Sequence, residues 1–355
     1  MSPRVLVVTT SFPRDADDPS GHFVQSHARA LASAGASVHV IAPFGAITDP
    51  PQIRPPLVVH PAGGEMLFGF PGALARAGEN PLRLAGAAVL AAGVRRRLRQ
   101  LAPFDRLVAH WIVPCAWPLL AGTTAPLDIL SHGADVRLLA RLPPALRAAI
   151  VRSLLERGAR FQFVATHLRD TLAASLPPAL ADHLLRASRV EPAPIELPDV
   201  TAAAAHLRAS LALAPGEKLA LCVGRLVPDK RYDLAITALA ALAPRLRLVL
   251  VGDGPERARL ESLALASRLH ATATGALPRR AALAWIAAAD VLVHPSASEG
   301  APTVVREARA LGTHVVACAA GDLELWSRTD DGITIAAPDP RALAAAVLHA
   351  TTDLR

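Results

Sequence analysis

Unbroken apolar runs, each followed by a turn and then a helical pattern, recur along the whole chain and constrain its fold more than any other feature. The first is Arg4 to Thr10, RVLVVTT. A β-branched run without polar alternation suits a strand covered on both faces, which is the situation inside a parallel sheet. His22 to Ala34 then reads as a helix closed by Gly35, and Ser37 to Ala42 as the next strand. This βαβ opening sets Gly21 and the start of the first helix at the carboxyl ends of the strands, where open α/β sheets bind ligands.

The alternation continues. Residues 49–81 are rich in Pro and Gly and yield one strand, Leu57 to His60. Leu82 to Leu101 is a helix whose basic end, Arg95, Arg96, Arg97 and Arg99, complements the C-terminal end of the helix dipole. Arg106 to Trp111 and Leu127 to His132 are strands, and their tips carry His110 and the turn His132-Gly133-Ala134-Asp135. Prolines in Val190 to Val200 close this set, and the pattern restarts with the strand Leu219 to Gly224. The expectation is an α/β protein of two Rossmann-like domains, residues 1–198 and 199–355, with parallel sheets facing across a cleft.

Composition narrows the partners. A net charge of +7 suits anionic ones, namely nucleotides or acidic lipid, while 4% aromatic residues offer little for stacking bases of nucleic acid. Cys115, Cys222 and Cys318 are odd in number and far apart, so neither a disulfide framework nor a zinc site is indicated, and a reducing cytoplasm fits. The apolar run in MSPRVLVVTT is too short for a signal peptide, and the longest uncharged helix stretch falls short of a membrane span.

Chemistry concentrates in the second half. In GRLVPDK, Gly224 ends a strand and Arg225 and Lys230 bracket a turn before a helix, a pattern that suits a diphosphate and equally suits solvated surface cations. Gly252-Asp253-Gly254 marks a turn where backbone must bend or approach closely. Ala287 to Gly312, AAADVLVHPSASEGAPTVVREARALG, runs from a strand through a small-residue turn into a helix starting near Pro302. Glu299 precedes that helix and Glu307 lies within it. In a fully helical span the two would be roughly 12 Å apart along the axis. That exceeds the roughly 5 to 9.5 Å at which two carboxylates flank one glycosidic bond. The pair therefore reads as holding two ends of a ligand. Neither a Walker A pattern nor a G-x-G-x-x-G fingerprint occurs, which removes support for kinase and dinucleotide-dehydrogenase readings.

The series GRLVPDKRYDLAI, LVLVGDGPERARLE and GALPRRAALAWIAAADVLVHPSASEGAPTVVREARALGTHVVA resembles, in order, the C-terminal half of family 4 retaining glycosyltransferases of the GT-B fold. The first half is similar more loosely, through TTSFPRDADDPSGHFVQSHARALASAG, Ala109 to Trp111 and the His132 to Asp135 turn. Carried over by position, the resemblance implies that Arg225 and Lys230 bind the donor diphosphate after Gly224 and stabilise it as it leaves. Glu307 would take the two ribose hydroxyls, since a carboxylate has two acceptor oxygens for two O–H donors. Glu299 would lie by the donor sugar beside Gly300 and Pro302, with the amides of Thr303 and Val304 at the diphosphate or sugar. His132 would bind the sugar or orient the phosphate, and Gly21 would let the first loop approach it. His110 and Asp135 stand as acceptor-side candidates.

The resemblance further implies retention of anomeric configuration without a metal or other cofactor, the departing phosphate acting as base. The donor would be a UDP- or GDP-sugar, and the acceptor a glycan, a glycolipid or a small soluble molecule. Contact with the inner face of an anionic membrane would use the basic helix end and the apolar region Met66 to Phe70. A non-catalytic subunit that binds nucleotide sugar is the alternative. Departures from the family pattern lie in EPAPIELPD between the domains, in Ala320 to Glu324, and in an ending at DPRALAAAVLHATTDLR without a further crossing helix, which implies looser closure or need of a partner.

Overall fold

The computed structural model describes residues 2–15, 18, 20–44, 57–69 and 72–352. The chain forms two units, Met1–Glu196 and Leu197–Arg355. Phe70 lies outside the described residues, as do residues 49–56 and 71 of the Pro- and Gly-rich stretch.

The first unit is built on seven parallel strands: β1 (Arg4–Val8), β2 (Ser37–Ala42), β3 (Leu57–Pro61), β4 (Arg106–His110), β5 (Leu127–Ser131), β6 (Arg160–Phe163) and β7 (Ser188–Val190). Their order is β3-β2-β1-β4-β5-β6-β7. The second unit has six, β8 (Lys218–Val223), β9 (Leu246–Val251), β10 (Ala271–Gly275), β11 (Val291–His294), β12 (His314–Cys318) and β13 (Ile333–Ala336), in the order β10-β9-β8-β11-β12-β13. All strand pairs in this sheet are parallel.

The apolar runs are explained by what each face covers. Along β8, Ala220 and Cys222 enter one core with Val291 and Val293 of β11, while Leu219 and Leu221 enter the opposite core with Leu292. Successive side chains point to opposite faces of a strand, so a sheet with helices on both sides makes every position apolar. Burying each such leucine contributes roughly 1.5–3 kcal/mol.

Sequence and structure differ at element ends. Pro302 is the N-cap of helix Thr303–Ala310 and not its first helical residue. The expected helix from Leu82 starts as a 3₁₀ turn, Pro81–Leu84, whose Leu82 amide donates to the Asn80 side chain at 3.0 Å, and continues as Ala85–Leu101. Helices Pro178–Arg186 and Thr201–Ser210 and the strand β7 carry too few apolar positions to stand out in the sequence: only Ala204 is buried in the second helix, and β7 has 3 residues.

Candidate functional site

In each sheet the strand order reverses once, between β8 and β11 in the second unit and between β1 and β4 in the first. Chain leaving such a pair diverges to opposite sides and opens a crevice at the carboxyl ends. The loops after β8 and β11 carry Arg225, Lys230 and Glu299, so the sheet itself brings the sequence candidates together.

Lys230 ends the 3₁₀ turn Pro228–Lys230, and its Nζ donates to Glu299 Oε1 at 2.5 Å. His294, the last residue of β11 and 1% exposed, places Nε2 3.0 Å from the same oxygen. Burial lowers the His294 pKa, which keeps the ring neutral beside the carboxylate. Burial by itself would raise Glu299. The close approach of His294 and the Lys230 charge outweigh it and hold the carboxyl at about 2. Two further links tie the loops: the Ala297 amide donates to the Asp229 carbonyl at 2.8 Å, and Arg231 donates to the carbonyls of Pro295 and Ser296 at 2.8 and 3.2 Å. Arg231 does so from a left-handed backbone, φ 48°.

Glu307 is buried on the helix that follows, and Arg279 Nη2, from helix Arg279–Ala288, donates to its Oε1 at 2.7 Å. Glu299 and Glu307 are thus held by different cations, and the chain from Ser296 to Pro302 between them is not helical. Thr303 and Val304 belong to the first helical turn, whose amides have no intrahelical acceptor. Gly300 lies in the loop before it, and Arg225 is exposed beside β8.

Both glycine turns prove to be places of close approach. A Cβ on Gly224 (φ +147°) would sit 2.8 Å from the Tyr232 hydroxyl. On Gly252 it would meet the Gly224 carbonyl oxygen at 1.9 Å, and on Gly254 the Leu226 carbonyl oxygen at 2.3 Å. The Leu226 amide donates to the Asp253 carbonyl at 2.9 Å. Gly252-Asp253-Gly254 therefore braces the Gly224-Arg225-Leu226 turn from behind.

In the first unit, His27 Nδ1 lies 3.1 Å from His110 Nε2, and His110 Nδ1 lies 2.9 Å from His132 Nε2. The rings of His110 and His132 are stacked, 8° apart in plane, and those of Phe23 and Trp111 lie 4.6 and 5.2 Å from His132. Burial lowers all three histidines, His27 to about 4 and His132 to about 3, so each is neutral at pH 7. Trp111 holds φ 78°, a conformation costly for a side chain of this size.

Three sequence expectations change here. Asp135 does not face an acceptor: it is 1% exposed and accepts from the amides of Ile112 and Gly133 and from the Ser131 hydroxyl at 2.9, 3.0 and 3.0 Å. It pins the turn after β4 to the turn after β5. His110, 0% exposed, is likewise behind the surface, covered by His27, His132 and Trp111. At Gly21 (φ +70°) the backbone that the missing side chain admits is the protein's own, since a Cβ would lie 2.6 Å from the Ser11 carbonyl.

Residues 204–353 match the family described as Glycosyl transferases group 1. The matched stretch lies within the second unit. Among solved structures, sucrose-phosphate synthase from Thermosynechococcus elongatus superposes with a TM-score of 0.71, covering 99% of this chain and 90% of that one at 21% identity. Anabaena HepE in complex with UDP-glucose gives 0.68, 99% and 90%, at 18% identity. These likenesses establish the GT-B fold for the chain. A D-inositol 3-phosphate glycosyltransferase of Xylanimonas cellulosilytica is 36% identical over 153 residues, which cover 41% of this chain and 36% of the relative. The match thus spans about a third of the length of such curated relatives.

Within the matched stretch, Arg279 and His294 escaped the sequence reading although they lie against Glu307 and Glu299. His294 had a signal, being a histidine at the end of a buried strand five residues before a carboxylate. Arg279 had none, because its partner lies 28 positions away and only helix packing joins them.

Proposed function

We propose that the chain is a retaining glycosyltransferase of family 4, which moves a sugar from a UDP- or GDP-sugar to an acceptor without a metal. The observation that carries this is Lys230 and Glu299 locked together at the switch point of the second sheet, with Glu307 set apart on Arg279. The second unit takes the donor and the first the acceptor. Glu307 accepts from the two ribose hydroxyls, and Arg225, Lys230 and the first-turn amides of Thr303 and Val304 meet the diphosphate. Glu299 stays ionised beside the sugar and favours positive charge at the anomeric carbon as its bond to the diphosphate oxygen breaks. The acceptor oxygen bonds to that carbon from the same face, and its proton passes to the departing phosphate. That HepE is described with UDP-glucose bound supports a nucleotide-sugar donor.

The acceptor is a lipid-linked or cell-surface glycan, reached at an anionic membrane. In support, Leu82, Leu84, Val89 and Met66 are 78, 56, 48 and 47% exposed around the helix whose other end exposes Arg95, Arg96 and Arg99. Among the described residues no helix is long and apolar enough to cross a membrane.

A screen of UDP-, GDP- and ADP-sugars by thermal shift, followed by donor turnover, tests the reading. Turnover that is lost in Lys230→Ala is expected. Binding without turnover of any donor, unchanged in Lys230→Ala, replaces the enzyme with a non-catalytic nucleotide-sugar-binding subunit.

A further inference from the structure

Three neutral histidines in series can distribute their protons in only two ways. Each neutral ring carries one N–H, so every contact in the row must pair one N–H with one lone pair. If His27 donates through Nδ1 to His110 Nε2, then His110 donates through Nδ1 to His132 Nε2, and His132 is left with Nδ1–H. If the row runs the other way, His132 donates through Nε2 and its Nδ1 is a bare lone pair. The state of His27 at one end therefore decides whether His132 at the other is a donor or a base.

The charges beyond His27 make that choice. On the same face of the sheet as His110 stand Arg106, two positions before Val108, and Asp128, which pairs in register with Val108. Asp128 is already bound by two guanidiniums, Arg106 and Arg160. Arg189, bonded to Gln162 at 2.6 Å and 3.2 Å from Glu191, adds a third. Arg106, Asp128, Arg160 and Arg189 line one cavity of about 440 Å³, whose single carboxylate leaves an excess of positive charge. An imidazole turns its lone pair, the negative end of its dipole, toward cations and its N–H away from them.

We propose that His27 and His110 are positioning residues that fix His132 in the Nδ1–H form, so that His132 meets an oxygen lone pair of its ligand as a hydrogen-bond donor and does not act as a base. The Phe23 and Trp111 rings, tilted against His132, flank the ring that receives this state, and Asp135 fixes its turn through the Gly133 amide. The role toward a ligand rests on the glycosyltransferase reading. The proton pattern does not, and it is measured without turnover.

The test is long-range ¹⁵N–¹H correlation of the histidine rings in the full chain at neutral pH, which separates the two neutral forms. His132 is expected as Nδ1–H. Arg189→Glu, at an exposed side chain whose positive charge disfavours protonation of His27, reverses that charge and is expected to move His132 to Nε2–H. His27→Phe removes the first donor and is expected to leave His132 in a mixture of both forms. Wild-type His132 as Nε2–H, or a His132 state untouched by both substitutions in folded protein, overturns the proposal. Titration with inorganic phosphate and with a methyl pyranoside, observed at His132 Nδ1–H, distinguishes a phosphoryl from a hydroxyl oxygen, and no response to either overturns its role as a ligand donor.

Discussion

Lys230 Nζ lies 2.5 Å from Glu299 Oε1, although the two residues come from loops 69 positions apart. The cation best placed for a diphosphate is therefore held by the carboxylate best placed for a sugar. On the proposed function, a bound donor would share Lys230 with Glu299, which would couple departure of the diphosphate to the charge beside the anomeric carbon.

Glu307→Ala should mainly weaken nucleotide binding, by about tenfold to a hundredfold, the loss of one or two charge-assisted hydrogen bonds. Glu299→Ala should mainly slow transfer, because the carboxylate it removes is matched to charge that develops only as the bond breaks. Titration of UDP and GDP with each variant, beside kcat for the preferred donor, checks the division. Equal loss of nucleotide affinity in both contradicts it.

Acid should unfold the chain in two stages. His27, near 4, and His132, near 3, bind protons less readily folded than unfolded, so their contribution is full above pH 6.5 and drains as pH falls toward those values. Glu299, near 2 against an ordinary 4.5, adds a loss of about 3 kcal/mol that begins below pH 4.5. Urea midpoints measured from pH 7.5 to 3.5 should decline from about 6.5 downward. His27→Phe should flatten the first part of that decline. A midpoint independent of pH between 6.5 and 4 contradicts the burial of neutral histidines.

Gly252→Ala should be severe, costing more than about 4 kcal/mol, because the new methyl meets backbone that has no rotamer with which to yield. The backbone it meets is the Gly224 carbonyl, 1.9 Å away. Chemical denaturation gives the stability, and loss of nucleotide binding should accompany it. A variant of wild-type stability would show that the two turns can separate freely.

Arg231→Gly sets two effects against each other. Glycine relieves a left-handed backbone worth about 1 kcal/mol, while the two bonds to Pro295 and Ser296 are lost at roughly 1 kcal/mol each. Stability should move little, yet transfer should slow about tenfold because the loop bearing Glu299 loses its tether. Thermal melting and kcat, measured together, report this split, and full activity in the glycine variant contradicts it.

Leu82→Asp with Leu84→Asp should reduce flotation with anionic liposomes about tenfold at low salt, since both side chains are exposed and apolar at the start of the helix whose other end is basic. Both substitutions fall where nothing packs, so the melting temperature should stay put. Flotation unchanged by the pair, or absent in the parent, removes the membrane contact.

The fold was legible because its signal is local. Leu219 to Val223 alternate between two cores, and that alone forces an unbroken apolar run. Arg225, Lys230, Glu299 and Glu307 were legible as residue types beside turns and helix starts, and Gly252 as a point of close approach. Helix Thr201–Ser210 was not, since alanine forms helices without marking a buried face.

Sequence alone therefore determined that strands and helices alternate, where the sheets restart, and which loops carry cations and carboxylates, because backbone preference and burial period act over a few residues. Tertiary structure decided the pairings: Arg279 on Glu307, His294 and Lys230 on one oxygen of Glu299, His27 through His110 to His132, and Asp135 turned inward as a pin. Each joins residues from separate elements, and only strand order and helix packing place those elements side by side.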